Sequence, residues 1–192
     1  MFHMTLTIFN LLSILTIIGD VMVLGTLGLL VYAWVSRKPD NRLLAWTGDH
    51  GVLFTFIVAL IATAGSLFFS EIAHFTPCKL CWFQRIFMYP QVVVLGIALL
   101  KKERTIAVMQ SLMLSAIGVV FAGYHYNLQM FAKVVKPCSL NDPVSCAEKV
   151  VIHYGYITIP MMALTAFLMI IVFLVMVKMR DGKKAENLST QV

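Results

Sequence analysis

The chain has 192 residues, of which 60% are hydrophobic and only 12% charged, with a formal net charge of +6 and a mean hydropathy of +0.87. Those proportions exclude a soluble globular domain, because too few polar side chains exist to wet its surface. They point to an integral membrane protein, and the apolar runs lack the two-residue alternation of barrel strands, so the spans are helices.

The first run covers residues 1–36 and is interrupted by Asp20. No basic segment precedes it, while Arg37, Lys38 and Arg42 follow it, the pattern of a retained helix rather than a cleaved signal peptide. Val21 to Ser36 would rise only about 24 Å, short of a bilayer core of roughly 30 Å. The helix is therefore expected to begin several residues earlier, with Asp20 about one turn inside the outer interface. There its carboxylate either reaches headgroup water or has a function.

Gly51 to Phe69, Thr105 to Tyr124 and Ile157 to Val177 carry no charge at all, and Leu80 to Leu100 carries only Arg85. Together with the first run they make five spans, each near the length of about 20 residues that a bilayer requires. Lys101, Lys102 and Arg104 separate the third and fourth spans, and Lys178, Arg180, Lys183 and Lys184 follow the fifth. The positive-inside rule places these clusters and the one after the first span in the cytoplasm. The N-terminus, residues 70–79 and residues 125–156 then lie outside. The positive charge is thus topological, and no basic face with base-reading groups suggests nucleic-acid binding.

All four cysteines, Cys78, Cys81, Cys138 and Cys146, fall in the outer segments, where disulfides persist. Four cysteines allow three pairings, and spacing makes Cys78 with Cys81 and Cys138 with Cys146 the economical one. Cys78 and Cys81 form a CxxC at a helix opening, where backbone amides favour a thiolate. Arg85 follows at offsets of seven and four, on the same helix face and still within the bilayer, where a charge demands an anionic or strongly polar partner. Pro77 fixes the approach to this helix, and Pro90 within it frees a backbone carbonyl. Cys138 and Cys146 flank the turn residues Asn141-Asp142-Pro143; the pair is either a loop staple or an exchangeable disulfide. His125 closes the fourth span, either as a proton-exchanging ring or as an interfacial anchor like Tyr124 and Tyr126. His3, His50, His74 and His153 receive no role, and the twelve methionines read as helix packing.

These motifs resemble the bacterial DsbB and BdbC family of membrane thiol-disulfide oxidoreductases, with the BdbC-like branch the nearer. The likeness runs from Trp46 to Lys178 through Ser70-Glu71-Ile72, the Pro77 to Arg85 stretch, Met88-Tyr89-Pro90, Tyr124-His125-Tyr126, Cys146-Ala147-Glu148 and Tyr154 to Pro160. The resemblance implies an all-α membrane protein, a four-helix transmembrane bundle plus one extra N-terminal transmembrane helix. Its parts are an N-terminal helix and cytoplasmic loop (1–45), a thiol-disulfide oxidoreductase domain (46–178) and a cytoplasmic tail (179–192). It implies an enzyme of the bacterial cell membrane that reoxidises a thioredoxin-fold extracytoplasmic partner, DsbA-like or BdbD-like, and passes the electrons to ubiquinone or menaquinone. Position by position, Cys138 resembles the cysteine that forms the mixed disulfide with the partner and Cys146 its loop mate. Cys78 and Cys81 resemble the quinone-coupled pair, with Cys81 the sulfur against the quinone, and Arg85 and His125 the quinone-binding residues. Two departures stand out: the loop pair encloses only seven residues, shorter than in the DsbB branch, and the first span lies outside the four-helix pattern.

Two rival readings follow from the same cysteines. A vitamin K epoxide reductase-like enzyme also joins a loop pair to a helix-opening CxxC, but there the loop pair comes first in the chain. A structural zinc site on four thiolates would satisfy tetrahedral zinc and leave Arg85 unexplained; no metal is expected. A channel or transporter lacks the charged pore line or inverted repeat it would need.

Overall fold

The apolar runs become five helices in the computed structural model: α1 (Phe2–Ser36), α2 (Asn41–Leu67), α3 (Lys79–Lys101), α4 (Thr105–Phe131) and α5 (Ile159–Ser189). A π-helical turn, Phe68–Ile72, ends α2. The structure describes residues 2–36, 41–101, 104–131, 146 and 152–189, with side chains at 5–28, 48–101, 104–131, 146 and 152–182. Each helix is long and apolar enough to cross a bilayer, so the chain is an all-α, multi-pass membrane protein. Among the described residues the only β pairing is one bridge between His153 and Ile157.

Helices α2, α3, α4 and α5 pack successively around a ring, α5 closing back onto α2, and α1 lies outside the ring against α5. Lipid tails are as apolar as leucine, so packing and small residues, not expulsion from water, bring such helices together. The inward stripe of α4 has that composition: Ser111, Ser115, Gly118, Ala122, His125 and Gln129 are all buried, at the three- and four-residue steps of one helix face. At Gly118 α4 approaches α5 so closely that a Cβ there would strike the ring of Phe167.

Pro90 does not end α3, which continues to Lys101. Beside it, Gln91 donates from Nε2 to the Phe87 carbonyl at 2.9 Å and accepts from Ser115 Oγ at 3.2 Å, joining α3 to α4. Thr158 opens α5 as its cap, its Oγ1 accepting from the Met161 amide at 3.4 Å, with Pro160 in the first turn where a missing N–H costs nothing. At the end remote from Cys78, Arg180 of α5 pairs with Asp49 of α2.

Asp20 faces α5. Its partner Thr165 is six residues past the start of α5, roughly 9 Å along that helix. Asp20 Oδ1 accepts from Thr165 Oγ1 of α5 at 2.6 Å and Oδ2 from the Tyr156 hydroxyl, in the segment before α5, at 3.4 Å.

Candidate active site

After the π-helical turn, His74 adopts a left-handed conformation with φ 55°, which turns the chain off α2. The chain then runs without helix through Pro77 to Cys78. The Cys78 carbonyl accepts the Trp82 amide at 3.2 Å, so Cys78 stands at the cap of α3 and Cys81 in its first turn. Both are free thiols. Their sulfurs are 3.4 Å apart, within hydrogen-bonding distance. That bond, aided by His125 and opposed by burial, holds the Cys78 thiol far below its ordinary range, to about 4. Of the two sulfurs, Cys78 is therefore the one that ionises more readily.

His125 comes from the inward stripe of α4 and is 1% exposed, whereas its neighbour Tyr124 is 58% exposed. It is therefore no interfacial anchor. Gln84 Nε2 lies 3.0 Å from His125 Nδ1; with the amide donating there, the ring proton sits on Nε2. That nitrogen is 3.1 Å from the Cys146 carbonyl oxygen and 3.6 Å from Cys78 Sγ. The imidazole thus connects the thiolate with the segment that carries Cys146. Beneath them Phe83 stacks on Phe121 with ring centroids 4.8 Å apart, fixing α3 against α4.

The strongly polar partner that Arg85 needs is Ser66 of α2, and neither sulfur serves. Its Nε donates to Ser66 Oγ at 3.1 Å and Nη2 to the Ser66 carbonyl at 3.3 Å. The Tyr89 hydroxyl donates to the same Oγ at 3.1 Å. The guanidinium also lies over the Trp82 ring, 5.3 Å from its centroid, a favourable arrangement for a cation in apolar surroundings.

Cys78, Cys81, Gln84, Arg85, Tyr89 and His125 all line one cavity of about 340 Å³, whose remaining walls are mostly aliphatic side chains of α1, α2 and α5. The site is thus polar at the sulfur end and oily beyond it. Cys146 is 1% exposed and disulfide-bonded, and it packs in the same buried cluster as Cys78 and Leu80. A zinc site on four thiolates would need that sulfur reduced. Cys138, together with Arg37, Lys38 and Lys102 of the basic clusters, lies outside the described residues.

Three residues of the site receive no role from the sequence: Gln84 and Tyr89, which stand within the motifs of the likeness, and Ser66. Gln84 carried a signal, a polar amide inside an apolar span one turn after Cys81. Ser66 carried almost none, since single serines are common in membrane helices as packing residues.

The profile of the family "Disulfide bond formation protein DsbB" matches residues 49–177. The chain is 41% identical over 154 residues to "Probable disulfide formation protein" of Oceanobacillus iheyensis, covering 79% of this chain and 98% of that protein. It is 42% identical over 134 residues to "Disulfide bond formation protein C" of Bacillus subtilis, covering 69% and 93%. A similar identity, 42% over 118 residues, relates it to the "SPbeta prophage-derived disulfide bond formation protein B" of B. subtilis, covering 62% and 78%. No solved structure matches it.

Proposed function

Because this chain belongs to the DsbB family of disulfide bond formation proteins, and so is a membrane disulfide oxidoreductase, we propose that it reoxidises a thioredoxin-fold partner and delivers the electrons to a quinone. The observation that carries this reading is the pair Cys78 and Cys81, 3.4 Å apart, on the wall of a cavity whose other lining is mostly apolar. A water-borne partner and a lipid-borne acceptor could both reach such a pair.

In the proposed sequence a thiolate of the reduced partner attacks the disulfide of Cys138 and Cys146, and the partner leaves with its own disulfide closed. The loop dithiol then reduces the Cys78–Cys81 disulfide by the same exchange, two electrons moving at each step. His125 Nε2, 3.6 Å from Cys78 Sγ, exchanges the proton that the sulfur must gain or lose. A quinone bound in the cavity supplies a two-electron, two-proton acceptor, ubiquinone or menaquinone.

The residues present fit such an acceptor. Arg85 lines the cavity, and its two bonds to Ser66 leave Nη1 with no acceptor among the described residues. A ring carbonyl would occupy that donor, with Cys81 and His125 lining the same end. The volume of about 340 Å³ is at the lower bound for small-molecule sites, roughly 300 to 1,000 Å³. Energetics asks for this kind of acceptor, since a DsbA-like partner already holds a potential of about −120 mV and only a stronger oxidant can drain it. The cysteines are assigned to the extracytoplasmic face because Lys101, Arg104, Lys178 and Arg180 gather at the opposite end of the helices.

The test is reduction of a quinone by the reconstituted protein given a reduced thioredoxin-fold partner. Cys78→Ser, Cys81→Ser, Cys138→Ser and Cys146→Ser should each abolish it; a Cys78→Ser or Cys81→Ser variant as active as the parent overturns the scheme. A metal-binding reading draws on one observation, that ligand atoms of Cys78, Cys81 and His125 lie within 4.8 Å of one another. Metal analysis on the reduced protein separates the two, since stoichiometric zinc with no quinone reduction favours the metal.

A further inference from the structure

Helix α1 lies wholly outside the family match, which begins at residue 49, yet it supplies a wall of the cavity. Leu12, Leu15, Thr16, Ile18, Gly19 and Met22 line the space that Cys78, Cys81 and Arg85 line from the far side.

This wall is fixed at several heights. Near one end the Phe9 ring meets Phe69 and His153 edge-on, with centroids 5.7 and 5.5 Å away. Leu12 then packs at Gly65, where an added Cβ would come within 3.1 Å of Leu12 Cδ1. Gly65 precedes Ser66, the residue that holds Arg85. Deeper in, Gly19 admits Met169 and Thr165 so closely that a Cβ would meet them at 2.8 and 3.0 Å. Next to it Asp20 takes hydrogen bonds from Thr165 and Tyr156. A carboxylate is costly in a membrane span, and here it fixes the rotation and depth of α1 on α5.

Contacts of α1 with α2 are few, Leu12 at Gly65 being the one nearest Arg85, and between that level and the cluster of Val23 with Phe54 and Val58 the two helices both face the cavity. Leu15, Ile18 and Met22 of α1 and Ile61 of α2 line the cavity while remaining 40–51% exposed. They mark a lateral opening on the lipid side, apolar on both edges, leading to the polar end. An acceptor with a carbonyl-bearing ring and an isoprenoid tail has the matching shape: ring against Arg85, tail leaving between α1 and α2.

We infer that α1 and α2 form a lateral portal for the acceptor's tail, with Leu15 and Ile18 determining which tail lengths are used. This rests on the quinone reading above and deepens it. The experiment compares two quinones with the same ring, one bearing a single isoprene unit and one a long tail, in the full-length protein with a soluble dithiol as reductant. Thermal stabilisation by each quinone gives a second readout that does not depend on turnover. Ile18→Trp should raise KM for the long-tailed quinone about tenfold, the scale on which small steric changes in an apolar pocket discriminate. It should leave the short-tailed quinone and kcat unchanged, and only the long-tailed quinone should lose its stabilising effect. Leu15→Phe should act in the same direction and serves if Ile18→Trp does not fold. Val21→Trp adds bulk at an exposed position of α1 that does not line the cavity, and it should change neither quinone. If the parent uses both quinones and neither portal variant alters the preference between them, the portal is refuted while the quinone reading stands. If no quinone is reduced by or stabilises the parent, the quinone reading fails and the portal with it.

Discussion

Gln84 Nε2 lies 3.0 Å from His125 Nδ1, so an amide from α3 selects the tautomer of a ring on α4 and aims its proton at Cys78. Gln84→Leu removes that selection and leaves a buried ring nitrogen unsatisfied. The ring can then turn its proton away from the sulfur, and the Cys78 thiolate loses a donor. Each 1.4 kcal/mol lost there is about tenfold in thiolate population. Alkylation of Cys78, followed by mass spectrometry across a pH series, should show its inflection moved to higher pH in Gln84→Leu. An unmoved inflection would detach Gln84 from the chemistry.

The pH dependence of the reduced parent has a definite sign. The Cys81 thiol, with His125, favours the charged form of Cys78, so its pKa is lowered. The thiolate therefore persists as pH falls below the ordinary thiol range and is lost only as pH falls through about 4. Alkylation of Cys78 by a small neutral reagent should stay nearly flat from pH 8 to pH 5.5. An ordinary thiol would slow about tenfold per pH unit over that range. Cys81→Ala removes the largest cause of the shift and should restore a steep profile.

Ser66→Ala deletes the oxygen that accepts from both Arg85 Nε and the Tyr89 hydroxyl. Loss of these bonds should destabilise the protein by about 1–3 kcal/mol and let the guanidinium wander over the cavity wall. Quinone KM should rise severalfold, with a smaller change in kcat. Ser66→Thr keeps the hydroxyl and should restore most of the affinity. Equal losses in the two variants would mean that packing, not the oxygen, matters at this position.

Gly118→Ala places a methyl against the Phe167 ring, which has no room to yield because Phe167 is fully buried. Overpacking of this kind costs about 1–3 kcal/mol, read as a lower midpoint of thermal denaturation in detergent. Phe167→Leu in the same chain should recover part of the loss, and an additive effect of the two substitutions would argue against direct contact.

The spans and the helix-opening CxxC were legible in the sequence because hydropathy sets helix length and Pro77-Cys78 marks a start. Depth and rotation were less so. A hydrophobic run long enough to span does not state its rotation, so the partners of Asp20, Thr165 and Tyr156, could not be read from α1 alone. The inward turn of His125 could have been read from its spacing with Ser111, Ser115, Gly118 and Ala122, a stripe of small residues at helical steps. The Arg85–Ser66 contact could not. It joins two spans through one serine, and nothing local to either segment says they will be neighbours.

The one-turn offset between Cys78 and Cys81 has a consequence for conduction. Cys78 caps the helix before the apolar span begins, whereas Cys81 already lies within it, and their sulfurs remain within 3.4 Å. A disulfide closed between them would join the helix cap to the first turn of the apolar span. On the proposed electron route the pair would work as an electrical feedthrough, passing electrons by the making and breaking of that one bond while no bare charge traverses the insulating layer.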